Sequence, residues 1–183
     1  MLNSRSARGM TLIELMVTIT LIGLLLLAGL PAFTTMLSNL RVRAVAEGVL
    51  GGVQAARTEA LKRNLNITFQ LDPASGIGGG WQVLLPDAIL SADSILHAKS
   101  AVEGGAVQVS LSTGTTDIVF NNLGRRITPD ATTRILGIDV SNPDIGACET
   151  VGGSVRCLRV TVAIGGESRL CDPKRAVGDP QAC

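Results

Sequence analysis

The chain has 183 residues, a formal net charge of +1 and an aromatic content of 2 %. Its length suits one medium-sized domain with a core of its own, and its near-neutral charge argues against attraction of the whole surface to nucleic acid or anionic lipid. With three Phe, one Trp, no Tyr and a single histidine, the composition argues against an aromatic platform for stacking bases and against histidine-rich metal or catalytic sites.

The N-terminal segment combines a short polar leader with a long apolar run. Residues 1–9 are polar and end in Gly9, and no charged residue occurs between positions 15 and 40. Such a run is long enough to cross a bilayer, which needs roughly 20 apolar residues. An ordinary secretory signal is cut after its apolar stretch, whereas the natural boundary here precedes it. We therefore predict a leader at 1–9 and a membrane-embedded helical part at 10–35.

Glu14 is the one acidic residue inside this apolar segment. Placing a carboxylate in a bilayer costs about 2.5–3.5 kcal/mol, so a partner or a function is expected for it. In a plain signal-anchor helix, Glu14 would only extend to the membrane interface. The alternative is that a nearby positive charge stabilises the carboxylate within the membrane.

The helix is predicted to continue to residue 63. After Pro31, small or apolar residues recur every three or four positions as a single helical stripe, at Val42, Val45, Val49, Val53, Ala56 and Ala60. Gly48, Gly51 and Gly52 should weaken this helix by up to about 1 kcal/mol each relative to alanine, unless close packing needs them. We expect residues 10–63 to form one long helix, half of it embedded and half of it packed on a head.

Short runs of alternating apolar residues, bounded by turn residues, predict strands across residues 64–183. These strands are expected at 67–71, 81–85, 107–111, 117–120, 135–140 and 155–162. In the last strand, Arg159 and Thr161 should face solvent, and the core should be formed by Leu158, Val160 and Val162. One long helix followed by antiparallel strands predicts an α+β fold, with a β-rich globular head at 64–183.

The cysteines all lie in the C-terminal part of the chain, at Cys148, Cys157, Cys171 and Cys183. Their spacing contains no C-x-x-C pair, which argues against zinc and against thioredoxin-type chemistry. An even number beyond a membrane segment suggests disulfides in an oxidising compartment, and three pairings are possible. A two-residue hairpin loop at Gly152-Gly153 would place Cys148 opposite Cys157. That register favours the pairs Cys148–Cys157 and Cys171–Cys183.

The N-terminal pattern resembles the class III signal of type IV pilins and pseudopilins. The resemblance rests on a basic leader that ends in Gly9, on the step Thr11-Leu12-Ile13-Glu14 and on the apolar helix that follows. It implies that a prepilin peptidase cleaves between Gly9 and Met10 and methylates the new N-terminus at Met10, although the usual residue there is Phe. Glu14 then becomes the near-constant acid of the family, which pairs with the N-terminus of the next subunit. Pro31 falls where pilins often kink this helix.

The strand spacing and the stretch 165–183 resemble the GspH/FimT/FimU branch of minor pilins. This resemblance implies a pilin-like head with C-terminal disulfides on a single-pass protein of the inner membrane, with the head in the periplasm. It implies as partners other minor and major pilins, the prepilin peptidase and the inner-membrane pilus assembly machinery. The expected function is a type IV minor pilin, part of the complex that primes pilus assembly and sits at the filament tip. A type II secretion pseudopilin has nearly the same anchor, so that alternative stays open.

FimT-type proteins of this branch are implicated in binding DNA during natural transformation, through a C-terminal Gly-Arg-x-Arg motif. The matching positions here begin at Gly166, and Glu167 replaces the first arginine. An acid at that position would repel phosphates. Arg169, Lys174 and Arg175 could still form a small basic edge, so DNA contact is possible but not favoured.

No catalytic motif stands out in the sequence. The glycine-rich segment 76–80 lacks the Gly-Lys-Ser/Thr of a phosphate loop, and no Gly-x-Ser-x-Gly elbow occurs. His97 is predicted to be a surface residue between helix-like and loop residues, and Gly124-Arg125-Arg126 is predicted to lie in a turn between strands. We therefore expect no enzyme activity, no cofactor and no metal.

Overall fold

The computed structural model describes residues 10–71, 77–86, 94–128 and 134–183, apart from the side chains at positions 28, 29, 31 and 32. The leader predicted at 1–9 lies outside the described residues. A helix, α1, runs from Leu12 to Arg63. The chain consists of two compact units, Met1–Met36 and Leu37–Cys183, and α1 contributes to both of them.

The described part of the first unit is the beginning of α1. Thr11 caps the helix, because its Oγ1 accepts a hydrogen bond from the backbone N–H of Glu14 at 3.3 Å. The residues from Leu12 to Leu27 are exposed, apart from Gly23, which is partly exposed. Within the described residues, no helix combines the length and the apolar composition required to cross a membrane. The membrane-embedded part at 10–35 and the kink at Pro31 stay predictions.

The second unit, which we call the head, contains the rest of α1 and two antiparallel sheets. One sheet has the strand order β3-β2-β1-β5-β6 and the other has the order β4-β7-β8-β9. The strands in the described residues are β1 Ile67–Leu71, β2 Trp81–Leu84, β3 Ile95–Lys99, β4 Gln108–Leu111, β5 Asp117–Phe120, β6 Arg126–Ile127, β7 Ile135–Ser141, β8 Leu158–Ala163 and β9 Ser168–Cys171. A long helix packed on antiparallel sheets confirms the predicted α+β fold.

The predicted strands are all present, and the structure adds β3, β6 and β9. Because His97 lies in β3, the prediction that it sits between helix-like and loop residues is wrong. The last predicted strand begins at Leu158 rather than at residue 155. Thr161 is only 9 % exposed, so the prediction that it faces solvent is also wrong. Its hydroxyl donates to the carbonyl oxygen of Arg169 in the neighbouring strand β9.

One cluster of buried side chains joins α1 to both sheets of the head. The predicted helical stripe is buried along its whole length, from Val42 to Ala60. The largest side chains that meet it belong to the sheets, and they include Phe69, Phe120 and Ile138. Burying an aliphatic or aromatic side chain of this size stabilises the folded state by about 1.5–3 kcal/mol. Every buried apolar residue of the described chain lies in the head, which therefore has a core of its own.

Of the glycines at 48, 51 and 52, Gly52 is needed for the close approach of α1 to the sheet. A Cβ atom at Gly52 would lie 2.7 Å from the Trp81 ring and 2.9 Å from Phe69. A Cβ atom at Gly48 would lie 2.6 Å from Lys99 Nζ, the end of a flexible side chain that can move away, so packing does not require this glycine. Gly51 has nothing within 4 Å, so packing does not explain it.

The structure contains the disulfides Cys148–Cys157 and Cys171–Cys183, with Cα–Cα distances of 5.4 and 5.1 Å. This is the pairing that the sequence favours, but the hairpin that led to it is wrong. Residues Glu149–Val151 form a 3-10 turn, and Cys148 forms a parallel bridge with Val155. The cysteines therefore meet across a compact loop rather than across a two-residue hairpin.

Candidate assembly surfaces

The residues predicted to act in assembly lie at the start of α1. Thr11 and Glu14 form the capping-box pattern, in which a Ser or Thr at the helix cap is followed three positions later by Glu or Gln. Glu14 consequently lies in the first turn of α1, where the helix dipole favours a negative charge. The apolar periodicity of the sequence did not indicate this capping role, but the three-position spacing from Thr11 to Glu14 would have been enough to find it.

The structure brings Met10 and Glu14 to the same end of α1, and both are exposed. Gly9, the other half of the predicted cleavage site, lies outside the described residues. Within the described chain, no cation forms an ion pair with the Glu14 carboxylate. A single copy of the described chain therefore leaves this carboxylate open to a partner from another molecule.

The basic residues considered for DNA contact already have partners within the chain. Lys174 Nζ lies 2.7 Å from Glu149 Oε2, and Arg175 Nη1 lies 3.2 Å from Asp179 Oδ2. Arg169 Nη2 donates to the carbonyl oxygen of Ala182 at 3.3 Å. Phosphate groups would have to compete with these carboxylates, which weakens the case for DNA contact at this edge.

Two ion pairs also connect the two disulfide loops. One is the Lys174–Glu149 pair, and the other joins Arg156 Nε to Asp172 Oδ2 at 2.9 Å. Asp172 is buried, and its Oδ1 accepts a hydrogen bond from the backbone N–H of Lys174 at 2.9 Å. The two loops contain three cationic and three acidic side chains, so their side-chain charges balance.

Gly166, where the positions that match the Gly-Arg-x-Arg motif begin, has a packing role. Gly166 has φ +82°, and a Cβ atom there would collide with the carbonyl oxygen of Gly124. Arg57 of α1 donates to both turns, from Nε to the Gly124 carbonyl at 3.1 Å and from Nη2 to the Gly165 carbonyl at 3.3 Å. The helix therefore holds the β5–β6 and β8–β9 turns against each other. Gly124 and Arg125 lie between the strands as predicted, whereas Arg126 begins β6.

Glu59 is the centre of a charged cluster near the end of α1. Its carboxylate lies 2.8 Å from Arg63 Nε, 3.4 Å from Lys62 Nζ and 3.6 Å from His97 Nε2. The hydrogen bond from Arg63, helped by Lys62, holds the pKa of Glu59 below its ordinary value, although burial acts in the opposite direction. The helical spacing of Glu59, Lys62 and Arg63 could have indicated their pairing, whereas the approach of His97 from β3 could not be seen in the sequence.

The family model described as Type II transport protein GspH matches residues 45–166, which is more than half of the chain. The chain belongs to the GspH family. A second model, described as Prokaryotic N-terminal methylation motif, matches residues 4–30, which include Gly9, Met10 and Glu14. No curated protein matches the sequence.

Two solved structures of the type IV minor pilin FimU from Pseudomonas aeruginosa (strain PAO1) are similar to the chain. The structure in space group P21 has 18 % sequence identity and a TM-score of 0.56, and the match covers 78 % of this chain and 94 % of FimU. The structure in space group P65 has 19 % identity and a TM-score of 0.54, with 77 % and 98 % covered. At this level of identity the likeness shows the fold. The resemblance to the GspH/FimT/FimU branch and the pilin-like fold are thus confirmed.

Proposed function

We propose that the protein is a type IV minor pilin, a non-enzymatic subunit that assembles into a pilus. In this proposal it is cleaved between Gly9 and Met10, anchored in the inner membrane by residues 10–35 and oriented with its head in the periplasm. The observation that supports this most is the position of the N-terminal methylation motif. It lies on a helix with exposed apolar side chains, which leads into a head with the fold of FimU.

The chemistry of assembly would depend on the Glu14 carboxylate. Within hydrocarbon, an unpaired carboxylate costs about 2.5–3.5 kcal/mol, and a neighbouring positive charge offsets that cost. Cleavage at Gly9 creates such a charge, because it frees the amino group of Met10. Since the described chain offers no cation to Glu14, the amino terminus of an adjacent subunit would supply it. The pairing would then favour insertion of a subunit next to another one over a lone helix in the membrane.

The finer role that we propose is initiation. The protein would join other minor pilins in an inner-membrane complex that primes assembly, and it would remain at the tip of the filament that major pilins extend. The prepilin peptidase and the inner-membrane assembly machinery would act on it before incorporation. Support for this role comes from the likeness of the head to FimU, which is itself a type IV minor pilin.

A second candidate function is that of a pseudopilin in a type II secretion system. The description of the matching family model, a type II transport protein, favours it specifically. Both functions need the same anchor and the same processing, so they differ in which other subunits the head meets. DNA uptake is less favoured, because Lys174 and Arg175 are paired with carboxylates within the chain.

The experiment that separates these functions is deletion of the gene in its host, followed by two measurements. Surface pili are counted by electron microscopy, and proteins exported by type II secretion are measured in the culture medium. Loss of pili with normal secretion supports the minor pilin, whereas normal pili with failed secretion support the pseudopilin. Normal values of both would contradict both functions. Complementation with the intact gene must restore the lost property.

A further inference from the structure

The two disulfides join cysteines that follow one another along the chain. Cys148 pairs with Cys157 and Cys171 pairs with Cys183, at sequence separations of 9 and 12 residues, and no cysteine is free. Each of the other two possible pairings would join the first two cysteines to the last two, and would therefore close longer loops. Because the entropic cost of closing a loop rises with its length, the unfolded chain itself favours the native pairing about tenfold over either alternative. Direct oxidation therefore leads mainly to the native pairs.

The first disulfide loop, residues 148–157, is supported by the helix and by the core of the head. Val155 is fully buried, and the backbone N–H of Arg156 donates to Asn39 Oδ1 on α1 at 3.0 Å. These contacts do not involve the second disulfide loop, residues 171–183. The first loop can therefore take its position and close before the second loop is formed.

The second disulfide loop depends on the first for part of its position. Arg156 Nε lies 2.9 Å from Oδ2 of Asp172, which is buried. Asp172 in turn positions the residues that precede Cys183. Its backbone N–H donates to the carbonyl oxygen of Gln181 at 2.7 Å, and it forms a parallel bridge with Ala182. An arginine of the first loop thus helps to hold Cys183 beside its partner, through one buried aspartate.

The two sulfur atoms of the second pair differ in their access to other molecules. Cys171 is only 3 % exposed and ends strand β9, whereas Cys183 is exposed. A thiol oxidase acts through its own disulfide, which a thiolate of the substrate must reach. Once β9 has paired with β8, Cys183 offers that access and Cys171 does not. Cys171 lies next to it, with a Cα–Cα distance of 5.1 Å, where it can complete the bond.

We propose that the head is the substrate of a thiol oxidase, which forms the first disulfide before the second and enters the second pair through Cys183. This inference rests on the proposed function, because that function places the head in the periplasm, an oxidising compartment.

The second bond forms in two exchange steps. The Cys183 thiolate attacks one sulfur of the oxidase disulfide, which forms a mixed disulfide while the other oxidase sulfur leaves as a thiolate. The Cys171 thiolate then attacks the Cys183 sulfur, which forms the Cys171–Cys183 bond and releases the first oxidase sulfur. The two thiols of the head lose two electrons and two protons, and the oxidase disulfide gains them and becomes a dithiol.

A matched pair of full-length variants in the host, Cys171→Ser and Cys183→Ser, tests the entry through Cys183. Cells are quenched with acid and an alkylating reagent, and mixed disulfides are separated on non-reducing gels and identified by mass spectrometry. Cys171→Ser should accumulate a mixed disulfide between Cys183 and a thiol oxidase, because the thiol that completes the bond is missing. Cys183→Ser should accumulate about tenfold less, since a buried cysteine is poorly reactive. Equal amounts in the two variants, or more through Cys171, would overturn the proposed entry.

The order of the two bonds is measured on the unaltered full-length chain. Cells are pulse-labelled, and free thiols are blocked at intervals with a maleimide polymer that adds mass for each thiol. Peptide mass spectrometry of the species with two free thiols should find the Cys148–Cys157 bond, with Cys171 and Cys183 blocked. The yield of fully oxidised chain should be unchanged in a host strain that lacks its periplasmic disulfide isomerase. Crossed pairs, a second bond that forms first, or a lower yield in that strain would each overturn the proposal.

Arg156→Gln tests the support that the first loop gives to the second. It should slow formation of the second bond about tenfold, because Asp172 loses its cation, and it should leave the first bond at its normal rate. Arg63→Gln is the matched control, because Arg63 is also half-buried and its Nε lies 2.8 Å from the largely buried carboxylate of Glu59. It lies about 36 Å along α1 from Asn39, so both bonds should form normally. Equal rates in the two arginine variants would contradict this support.

The two levels of the hypothesis fail differently. If all thiols of the unaltered chain stay free in a host that oxidises its other exported proteins, the head does not reach the periplasm and the proposed function is wrong. If both native bonds form, but in another order or through Cys171, only the maturation route is wrong.

Discussion

The two parts of α1 use apolar residues in different ways. Between Leu12 and Leu27 the apolar side chains point in all directions around the helix, and they are exposed. Between Val42 and Ala60 they form one stripe, which is buried against the sheets of the head. An all-round apolar helix needs an apolar environment outside its own chain, whereas a stripe needs only one packed neighbour. The head therefore stabilises the second part of α1, whereas under the proposed function other molecules surround the first part.

The variant with the largest expected effect, Glu14→Ala, tests the role of the first part of α1 separately from that of the head. Glu14→Ala should abolish incorporation into filaments, because it removes the proposed partner of the neighbouring amino terminus. The free energy of unfolding of the head should not change, since Glu14 lies outside that unit. Filament incorporation is measured in sheared preparations, and stability is measured by urea unfolding of residues 37–183.

Glu47→Ala is the matched control for this variant. Glu47 is also an exposed acid on α1, but it lies in the head and pairs with Arg43 at 2.8 Å on the same helix. An exposed pair of this kind contributes about 0.3–0.5 kcal/mol, so both incorporation and stability should stay close to normal. Normal assembly of the Glu14→Ala protein would remove Glu14 from the proposed mechanism.

The second expected effect concerns the head alone. Replacing Cys171 and Cys183 with serine should lower the free energy of unfolding by about 2–5 kcal/mol, as for other native disulfides of small extracytoplasmic domains. The loop would also lose its fixed contacts to the first disulfide loop, which include the Arg156–Asp172 and Lys174–Glu149 pairs. Urea unfolding under non-reducing conditions gives the loss. An unchanged midpoint would show that the C-terminal loop is held without its disulfide.

A pair of glycine variants sharpens the comparison within the second part of α1. Gly52→Ala should destabilise the head by about 1–3 kcal/mol, because a methyl group there would collide with the Trp81 and Phe69 rings. Gly51→Ala adds the same methyl group one residue earlier, into open space. It should stabilise the head by up to about 1 kcal/mol through helix propensity. Urea midpoints that shift in the same direction would contradict the assignment of close packing to Gly52.

The smallest expected effect is a dependence of stability on pH. The pKa of Glu59 is held below its usual 4.5 in the folded head, mainly by the hydrogen bond from Arg63. Its contribution is therefore fully present above pH 4.5 and is lost as the pH falls through the lower pKa of the folded state. The stability difference between the unaltered head and Glu59→Gln, measured by urea unfolding, should shrink over that acid range. A constant difference down to pH 3 would contradict the role of this ion cluster.

Local sequence patterns were sufficient for much of this protein. The stripe from Val42 to Ala60 predicted which face of α1 is buried, because helical spacing alone places those residues on one side. The alternation at 67–71 predicted β1 in the same way. The N-terminal pattern around Gly9 and Glu14 indicated the family, because the N-terminal methylation motif is a short contiguous segment.

Other features depend on residues that are distant in the chain, so no local pattern contains them. The sequence predicts no strand at β9, which pairs with β8 in the fold. It also places His97 outside any strand, whereas β3 brings this residue to Glu59 on α1. No local sequence pattern distinguishes Gly51 from Gly52, yet only Gly52 faces the rings of Trp81 and Phe69. In each case the neighbour across the fold decides the residue's role.

The sequence by itself determined the helix, most of the strands and the predicted N-terminal site, since each depends on residues within a few positions of one another. The tertiary structure decided which charges remain available for partners. It pairs Lys174 with Glu149 of the other disulfide loop, and it brings His97 of β3 to Glu59 on α1. The physical reason is that the electrostatics and exposure of a surface depend on distances through space, which are established only when the chain has folded.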